Sequence, residues 1–369
     1  MAIPYTTGGS KKVAPIPFSK PTLTKNEIKS VLETLIQDGI SSGATLQNYE
    51  REIARALEFE RALALPSLFA AYHLAFLSLN LKEGDEVILP ATAPVAALDA
   101  LGQLGVRAVL CDVSRHSFHP SIKEIEPLLT PCTKAILFFY AFGSYFPYRE
   151  LKEEVASRLK AKVYFLEDIT YLAGSEADGQ FVGADADIAI IGLHEDGLMT
   201  IGRGAVLLMD STALYSVARD LRMHGGSKTY RVRYDYTITD YQAAMGLEQL
   251  SLLPQILERR RRIAEIFLEN LASSVLTTHF HNLRCDGFGL FPVFFECAVD
   301  QAQRYFQSLA IETRRVFPLG PLHHLLGLPP SSFPNTERLY QRGLLLPLYP
   351  YLTKVQVEQI ASAIRQFPR

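Results

Sequence analysis

The spacing of apolar positions changes along this chain, and the changes predict its elements. Thr24-Lys25-Asn26-Glu27 has the form of a capping box, and Ile28, Val31, Leu32, Leu35 and Ile36 follow on one helical face, which predicts an N-terminal helix. A second helix around Leu46–Leu57 leads to the turn-like Leu65-Pro66-Ser67, and Ala70–Leu79 is helical again. Short apolar runs then alternate with helical stretches: Glu86–Leu89, Ala108–Val113, Lys134–Phe142, Lys162–Glu167, Ile188–Leu193 and Ala205–Met209. Continuous apolar strands with helices between them predict an α/β fold with a mainly parallel sheet covered on both faces. From about Leu250 the pattern becomes a long helix, a strand over Phe288–Cys297, a helix over Val299–Leu309 and a last helix over Thr353–Phe367. That predicts a large unit over 1–250, N-terminal helices included, and a smaller α/β unit over 251–369. No internal repeat or low-complexity segment interrupts either.

Composition narrows the class without changing this picture. A chain of 369 residues with 48% apolar and 21% charged residues is of ordinary globular make-up and long enough for two units. A net charge of −2 gives no general attraction to nucleic acid or to an anionic membrane. The one basic cluster, Glu258-Arg259-Arg260-Arg261-Arg262, lies inside the helical pattern Leu253–Leu271 and reads as a solvated helix face or a subunit contact. Cys111, Cys132, Cys285 and Cys297 are far apart and read as reduced, mostly buried thiols. No apolar run reaches membrane-spanning length and the N-terminus has no apolar leader core, so a cytoplasmic protein is expected.

The candidate chemistry lies beyond the carboxyl ends of the strands, where sheets of this kind hold their ligands. Val163–Glu167 reads as a buried strand ending at Asp168. Some twenty residues on, IAIIGL, HEDGLMTIGRG and AVLLM read as strand, loop and strand, and the loop offers His194, Glu195, Asp196 and Gly197. No lysine occurs between Lys162 and Lys228. Three adjacent loop residues cannot all face one ion without a particular turn, so no metal site is expected here.

From Pro17 to the C-terminal helix the chain resembles the DegT/DnrJ/StrS-type sugar aminotransferases, a fold-type I pyridoxal phosphate (PLP) family. The segments that carry the resemblance are PFSKPTLTKNEIKSVLETL, LKEGDEVILP, TPCTKAILFFYAFG, FLED, LRMHGG, DYQAAMGLEQL, ERRRRIAE, PLGPLH and LPLYPYLT. The resemblance implies the fold-type I fold and a homodimer with two active sites at its interface. It also implies PLP or its pyridoxamine form (PMP) as cofactor, and a place in making amino sugars for polysaccharides or glycosylated metabolites.

Carried over position by position, the family's site residues fall on altered side chains. Asp168 matches the carboxylate that keeps the pyridine ring protonated; the plainer reading of it is a strand-end Asp capping a turn. The Schiff-base lysine falls at Asp196 or Gly197, depending on the placement of a one-residue gap, and neither can form an imine. Some relatives are dehydratases with a histidine there that use PMP. His194, two or three residues away, is the candidate base, or simply a loop histidine beside Glu195. The phosphate cup, Ser-Gly-Thr in the family, is Ser67-Leu68-Phe69, and a further serine ligand falls at Ile191 or Gly192. The asparagine that reaches the phosphate from the other subunit falls at Asp235, where a carboxylate ~4 Å from a phosphate would be repelled by roughly 4 kcal/mol at an effective dielectric of about 20. Pro94 replaces a ring-stacking aromatic residue and Tyr171 a ring-contacting glutamine.

Three readings follow. In the first the chain is a pseudoenzyme that keeps the dimer and a nucleotide-sugar pocket, serving as a binding or regulatory protein or as partner of an active paralogue. In the second it is an active PLP- or PMP-dependent aminotransferase or lysine-free dehydratase. The third, weakest on the residues, is metal chemistry at His194, Glu195 and Asp196.

Overall fold

In a computed structural model the chain is described over residues 14–36, 41–159, 162–223, 230–280 and 285–368. The N-terminal residues 1–13 and the last three residues of LRMHGG lie outside them. Helix α1 (Lys25–Leu35) begins at the capping box on Thr24, and α2 (Ala44–Ala56) follows. Then come β1 (Arg61–Leu65), α3 (Leu68–Ser78), β2 (Glu86–Pro90), α4 (Val95–Gln103) and β3 (Arg107–Cys111). The middle of the chain supplies α5 (Ile122–Ile125), β4 (Thr133–Phe139), α6 (Tyr148–Arg158), β5 (Tyr164–Asp168) and a small hairpin of β6 (Glu176–Ala177) and β7 (Gln180–Phe181). Strands β8 (Ile188–Gly192) and β9 (Ala205–Met209) and helix α7 (Thr212–Arg222) close this half.

Seven strands form one sheet in the order β1-β9-β8-β5-β4-β2-β3. The pairs β8–β5, β5–β4, β4–β2 and β2–β3 are parallel, whereas β9 is antiparallel to both β8 and β1. Six strands therefore run one way and β9 alone is reversed. Strands buried on both faces read as unbroken apolar runs: all five residues of β2, β8 and β9 are buried. Two apolar clusters flank the sheet, one containing Tyr72, Phe76 and Leu207, the other Tyr49, Phe138 and Ile191.

Helix α8 (Asp240–Leu271) is one helix of 32 residues, so it starts earlier than the change of pattern near Leu250 suggests. Its first residue does structural work on another element. Gly43, at the start of α2, has no side chain to cap that helix. The Asp240 carboxylate accepts instead from the backbone N–H of Gly43 at 2.8 Å and of Leu46 at 3.0 Å. Gly246 leaves room for the buried Tyr49 ring: a Cβ there would lie 2.8 Å from ring carbons. Gln249 donates to Thr22 O and to Glu27 Oε1, both at 2.6 Å, and accepts from Thr200 N at 3.1 Å. DYQAAMGLEQL is thus a packing motif joining α8 to α1, α2 and the loop before β9.

Beyond α8 lie β10 (Phe291–Phe294), α9 (Val299–Ser308), β11 (Arg314–Arg315), α10 (Leu322–Leu325), α11 (Pro334–Arg342), β12 (Gly343–Leu346) and α12 (Lys354–Arg365). β10, β12 and β11 form an antiparallel three-stranded sheet with β12 in the centre. At the other end of the chain, Ile16 bridges to Ile311, with Ile16 N–H donating to Ala310 O at 2.8 Å.

Two expectations are corrected. Arg260 is buried, not on a solvated face; its guanidinium donates to Gly289 O and Leu348 O, each at 2.8 Å, which satisfies carbonyls that no strand partner reaches. Of the four cysteines only Cys111 is buried and Cys132 is exposed; none is in a disulfide. The apolar face of α1 stays uncovered within one chain: Ile28 is 60% and Leu32 57% exposed, while Glu27 and Thr34 on the other face are buried. In addition, the apolar run to Phe142 leaves the strand at Phe139, and Phe142 takes a left-handed turn conformation with φ 62°.

Candidate functional site

The sheet topology brings the candidate residues together. The carboxyl ends of β1, β2, β5 and β8 lie on one edge, so Ser67, Pro94, Asp168 and His194 all follow strands that end there. Asp168 is fully buried. Its Oδ1 accepts from Thr170 N at 2.9 Å, and the hydroxyl of Tyr72, on α3, donates to Oδ2 in a short hydrogen bond. Burial pushes the Asp168 carboxyl above its ordinary pKa, offset in part by the hydrogen bonds from Thr170 and Tyr72 and by His194. Tyr72 itself is fully buried, and desolvation together with Asp168 drives its hydroxyl far up, so it acts as a donor.

The next turn is fixed by Thr170, whose Oγ1 accepts from Gly192 N at 2.8 Å and so ties the end of β8 to that of β5. His194 follows, with Nε2 3.3 Å from the Tyr171 hydroxyl and the two rings edge to face. Burial lowers the pKa of His194, and the carboxylates of Asp196, Asp168 and Glu195 pull it partly back. Two glycines admit the Tyr171 segment: a Cβ at Gly287 would lie 2.2 Å from Tyr171 O, and one at Gly289 2.4 Å from the Tyr171 side chain. Asp196 forms an ion pair with Arg314 of β11 at 2.6 Å through Oδ2, and its Oδ1 is buried with no partner among the described residues. Arg314 in turn lies over the Phe18 ring at 4.3 Å. Gly197 is tight, since a Cβ there would be 3.0 Å from Met199 O.

The expected phosphate cup, Ser67-Leu68-Phe69, forms the start of α3. Ser67 is the N-cap of α3 and its hydroxyl accepts from Ala70 N at 3.1 Å. Leu68 and Phe69 pack against the core, and the Phe69 ring stacks on His73 at 5.6 Å. His73 also meets Tyr234 edge to face at 4.9 Å and bonds the Tyr236 hydroxyl at 3.1 Å, so Asp235 is flanked by two rings packed on α3 while its own side chain is exposed. Ile191 and Gly192 are buried in and at the end of β8. Pro94 is the half-buried first residue before α4.

The structure thus groups Asp168, Tyr171, His194 and Asp196 around one point and sets Ser67, Leu68, Phe69 and Asp235 around α3. Glu195 is exposed. Sequence reading missed three participants: Tyr72, Thr170 and Arg314. A tyrosine inside the otherwise small and apolar FAAYHLAFLS was the only available signal; nothing local marks Thr170 or Arg314.

A family model described as the DegT/DnrJ/EryC1/StrS aminotransferase family matches residues 21–365, and the chain belongs to that family. Among curated proteins it is similar to GDP-perosamine synthase of Escherichia coli O157:H7, 29% identical over 95% of this chain and 98% of the relative. It is also similar to GDP-perosamine synthase of Vibrio cholerae, 26% identical over 95% and 99%. Among solved structures, the putative sugar aminotransferase Spr1654 from Streptococcus pneumoniae in its PLP form superposes with a TM-score of 0.87 at 24% identity, covering 95% of this chain and 98% of that one, which confirms the fold. Among the described residues no helix is long and apolar enough to cross a membrane.

Proposed function

We propose that this chain is a sugar-aminotransferase homologue of nucleotide-sugar metabolism that has lost PLP-dependent transamination and keeps a ligand-binding role. The observation that carries this is the pairing of Asp196 with Arg314 at 2.6 Å in the loop where the family places its Schiff-base lysine. The pair holds a carboxylate in that loop, where an imine would need an amine; with Arg314 45% exposed it adds little stability of its own. Tyr72 supports the same reading: its hydroxyl gives the Asp168 carboxylate a neutral donor from within the chain. So do Leu68 and Phe69, which put two bulky apolar residues that pack on the core in the first turn of α3, where a phosphate would need free backbone amides. Lys152 is no substitute nucleophile. It pairs with Glu167, and consecutive residues of β5 point to opposite faces, which puts it on the far side of the sheet from Asp168. These residues do not fit a Schiff-base cofactor, and no reaction step is assigned through one.

The orphaned Asp196 Oδ1, the Tyr171 hydroxyl and His194 are polar groups of the kind that hold sugar hydroxyls. The relatives named GDP-perosamine synthase favour a nucleotide sugar as the ligand. We further propose a homodimer, on the exposed α1 face and on Tyr230 (95% exposed) and Val232 (60%). A division into units 1–250 and 251–369, a cytoplasmic location, and a role beside an active paralogue belong to the same proposal.

The test is an absorption spectrum of the purified protein with added PLP, before and after borohydride, together with turnover of a keto-sugar nucleotide with glutamate. No reducible imine band and no turnover are expected. Asp196→Lys alone should restore neither, whereas Asp196→Lys combined with Leu68→Gly, Phe69→Thr and Asp235→Asn should bind PLP better. A reducible band or turnover in the unmodified protein would overturn the proposal in favour of the active-enzyme reading.

A further inference from the structure

His323 and His324 of α10 and Glu337 of α11 bring three ligand atoms within 4.8 Å of one another. Both imidazole Nε2 atoms converge on the same carboxylate oxygen, Glu337 Oε2, at 3.1 Å from His323 and 2.8 Å from His324. In a four-coordinate site with metal–ligand distances of about 2.1 Å, neighbouring ligand atoms are about 3.4 Å apart. Opening these contacts by a few tenths of an ångström would admit an ion at the point where the two N–H protons now meet the carboxylate.

The cluster is held in this shape from outside. Phe333 stacks on His323 at 4.5 Å and Tyr340 stands edge-on to His324 at 5.1 Å, so both rings are oriented by packing. Glu337 Oε1 accepts from Gln341 Nε2 at 2.8 Å, which fixes the carboxylate from behind, as outer-shell partners do in metal sites. Asp112, at the end of β3, accepts from the backbone N–H of Asn335 at 2.9 Å and of Thr336 at 2.8 Å and so anchors the turn that carries Glu337. Leu322 N donates to Ala91 O at 2.9 Å and anchors α10 to the end of β2. His323 is fully buried, yet its Nδ1 has no partner among the described residues. For Nε2 to take a cation the ring proton now shared with Glu337 must move to Nδ1, the nitrogen that makes no hydrogen bond and is free to carry it. The side chains of His324 and Glu337 are 28% and 15% exposed, which gives a path for an ion and room for water as a further ligand.

We propose that His323, His324 and Glu337 form a binding site for a divalent first-row cation of the zinc type, with two neutral imidazoles and one carboxylate as protein ligands. Such a two-nitrogen, one-oxygen set suits zinc or cobalt better than magnesium or calcium, which prefer oxygen alone. The site uses none of the residues named in the cleft and joins α10, α11 and, through Asp112, the large sheet.

The test uses the full chain, stripped with chelator and titrated with Zn2+ by calorimetry and with Co2+ by visible absorption. One equivalent of Zn2+ at micromolar affinity or tighter is expected, with a Co2+ band characteristic of nitrogen and oxygen ligands without thiolate. His324→Ala and the isosteric Glu337→Gln should each weaken binding by about 100-fold or more, and Gln341→Ala by about tenfold to 100-fold. The control Cys132→Ser, at the exposed thiol, should leave it unchanged. His324 is partly exposed and Glu337→Gln keeps an acceptor, and circular dichroism will show that the variants are folded. No binding by the wild-type chain, equal binding by folded His324→Ala and Glu337→Gln, or loss of binding in Cys132→Ser would each overturn the proposal.

Discussion

Glu27 and Asp168 are both buried carboxylates that accept hydrogen bonds from a hydroxyl and a neighbouring group, yet their environments push them in opposite directions. Glu27 joins α1 to α8. Burial works against its charge, but hydrogen bonds from Thr24 and Gln249 prevail and hold its pKa below the ordinary value. Asp168 joins α3 to the β5 turn, and there burial prevails over Thr170 and Tyr72. The first carboxylate is saturated with donors as part of the scaffold. The second is under-compensated, because the neutral donors Thr170 and Tyr72 do not offset the loss of water around a fully buried carboxyl. Fold and chemistry are therefore written in separable sets of residues, and one can change while the other holds.

The strongest way to break this contrast is to remove the scaffold donor. Gln249→Leu strips Glu27 and Thr200 N–H of a buried partner at once, and a loss of about 2–4 kcal/mol in urea unfolding is expected. A loss under about 1 kcal/mol would mean that Glu27 is not held from α8. Next comes Tyr72→Phe, which leaves Asp168 Oδ2 without its hydroxyl and should cost about 1–3 kcal/mol at neutral pH.

Acid titration sharpens the comparison, because the signs differ. A carboxyl whose folded pKa is depressed binds protons more weakly in the native state, so the stability Glu27 contributes is present above its unfolded value of 4.5 and lost as pH falls below it. Asp168 is raised above 3.8, so the native state holds its proton more tightly and stability declines as pH rises from 3.8 through the folded value. Glu27→Gln should flatten the acid limb of a stability–pH curve, and Asp168→Asn should raise stability at neutral pH relative to acid. The same slope change in both variants would refute the distinction. The smallest effect is expected for Asp196→Ala. It breaks a pair whose Arg314 side is 45% exposed, so less than about 1 kcal/mol should be lost in thermal unfolding.

Much of this architecture was legible in the sequence because long-range burial leaves a local trace. Strand β8 lies in the sheet interior and is an unbroken apolar run, β2 and β5 carry three-residue apolar cores, and the capping box at Thr24 announced α1. The reversed β9 was not legible as such, since direction leaves no mark in a five-residue apolar run. β1 was missed because RALAL is short and follows directly on α2. The run of four arginines carries no periodicity of its own, so the inward Arg260 could not be told from its outward neighbours. At the site, Asp168 was legible from its place at a strand end. Its Tyr72 cap was not, because residues 96 apart in sequence meet only in the folded chain.

The bridge between Ile16 and Ile311 has a consequence for how the molecule is made. The first described backbone segment has its partner nearly three hundred residues later, so during synthesis it must stay unpaired until almost the whole chain has emerged. Closing so long a loop costs entropy before any contact rewards it, and such contacts form late. A nascent chain stopped before Ile311 would therefore leave Ile16 and Phe18 without their cover, and limited proteolysis of ribosome-bound chains should find the N-terminal segment cleavable until that point and protected after it.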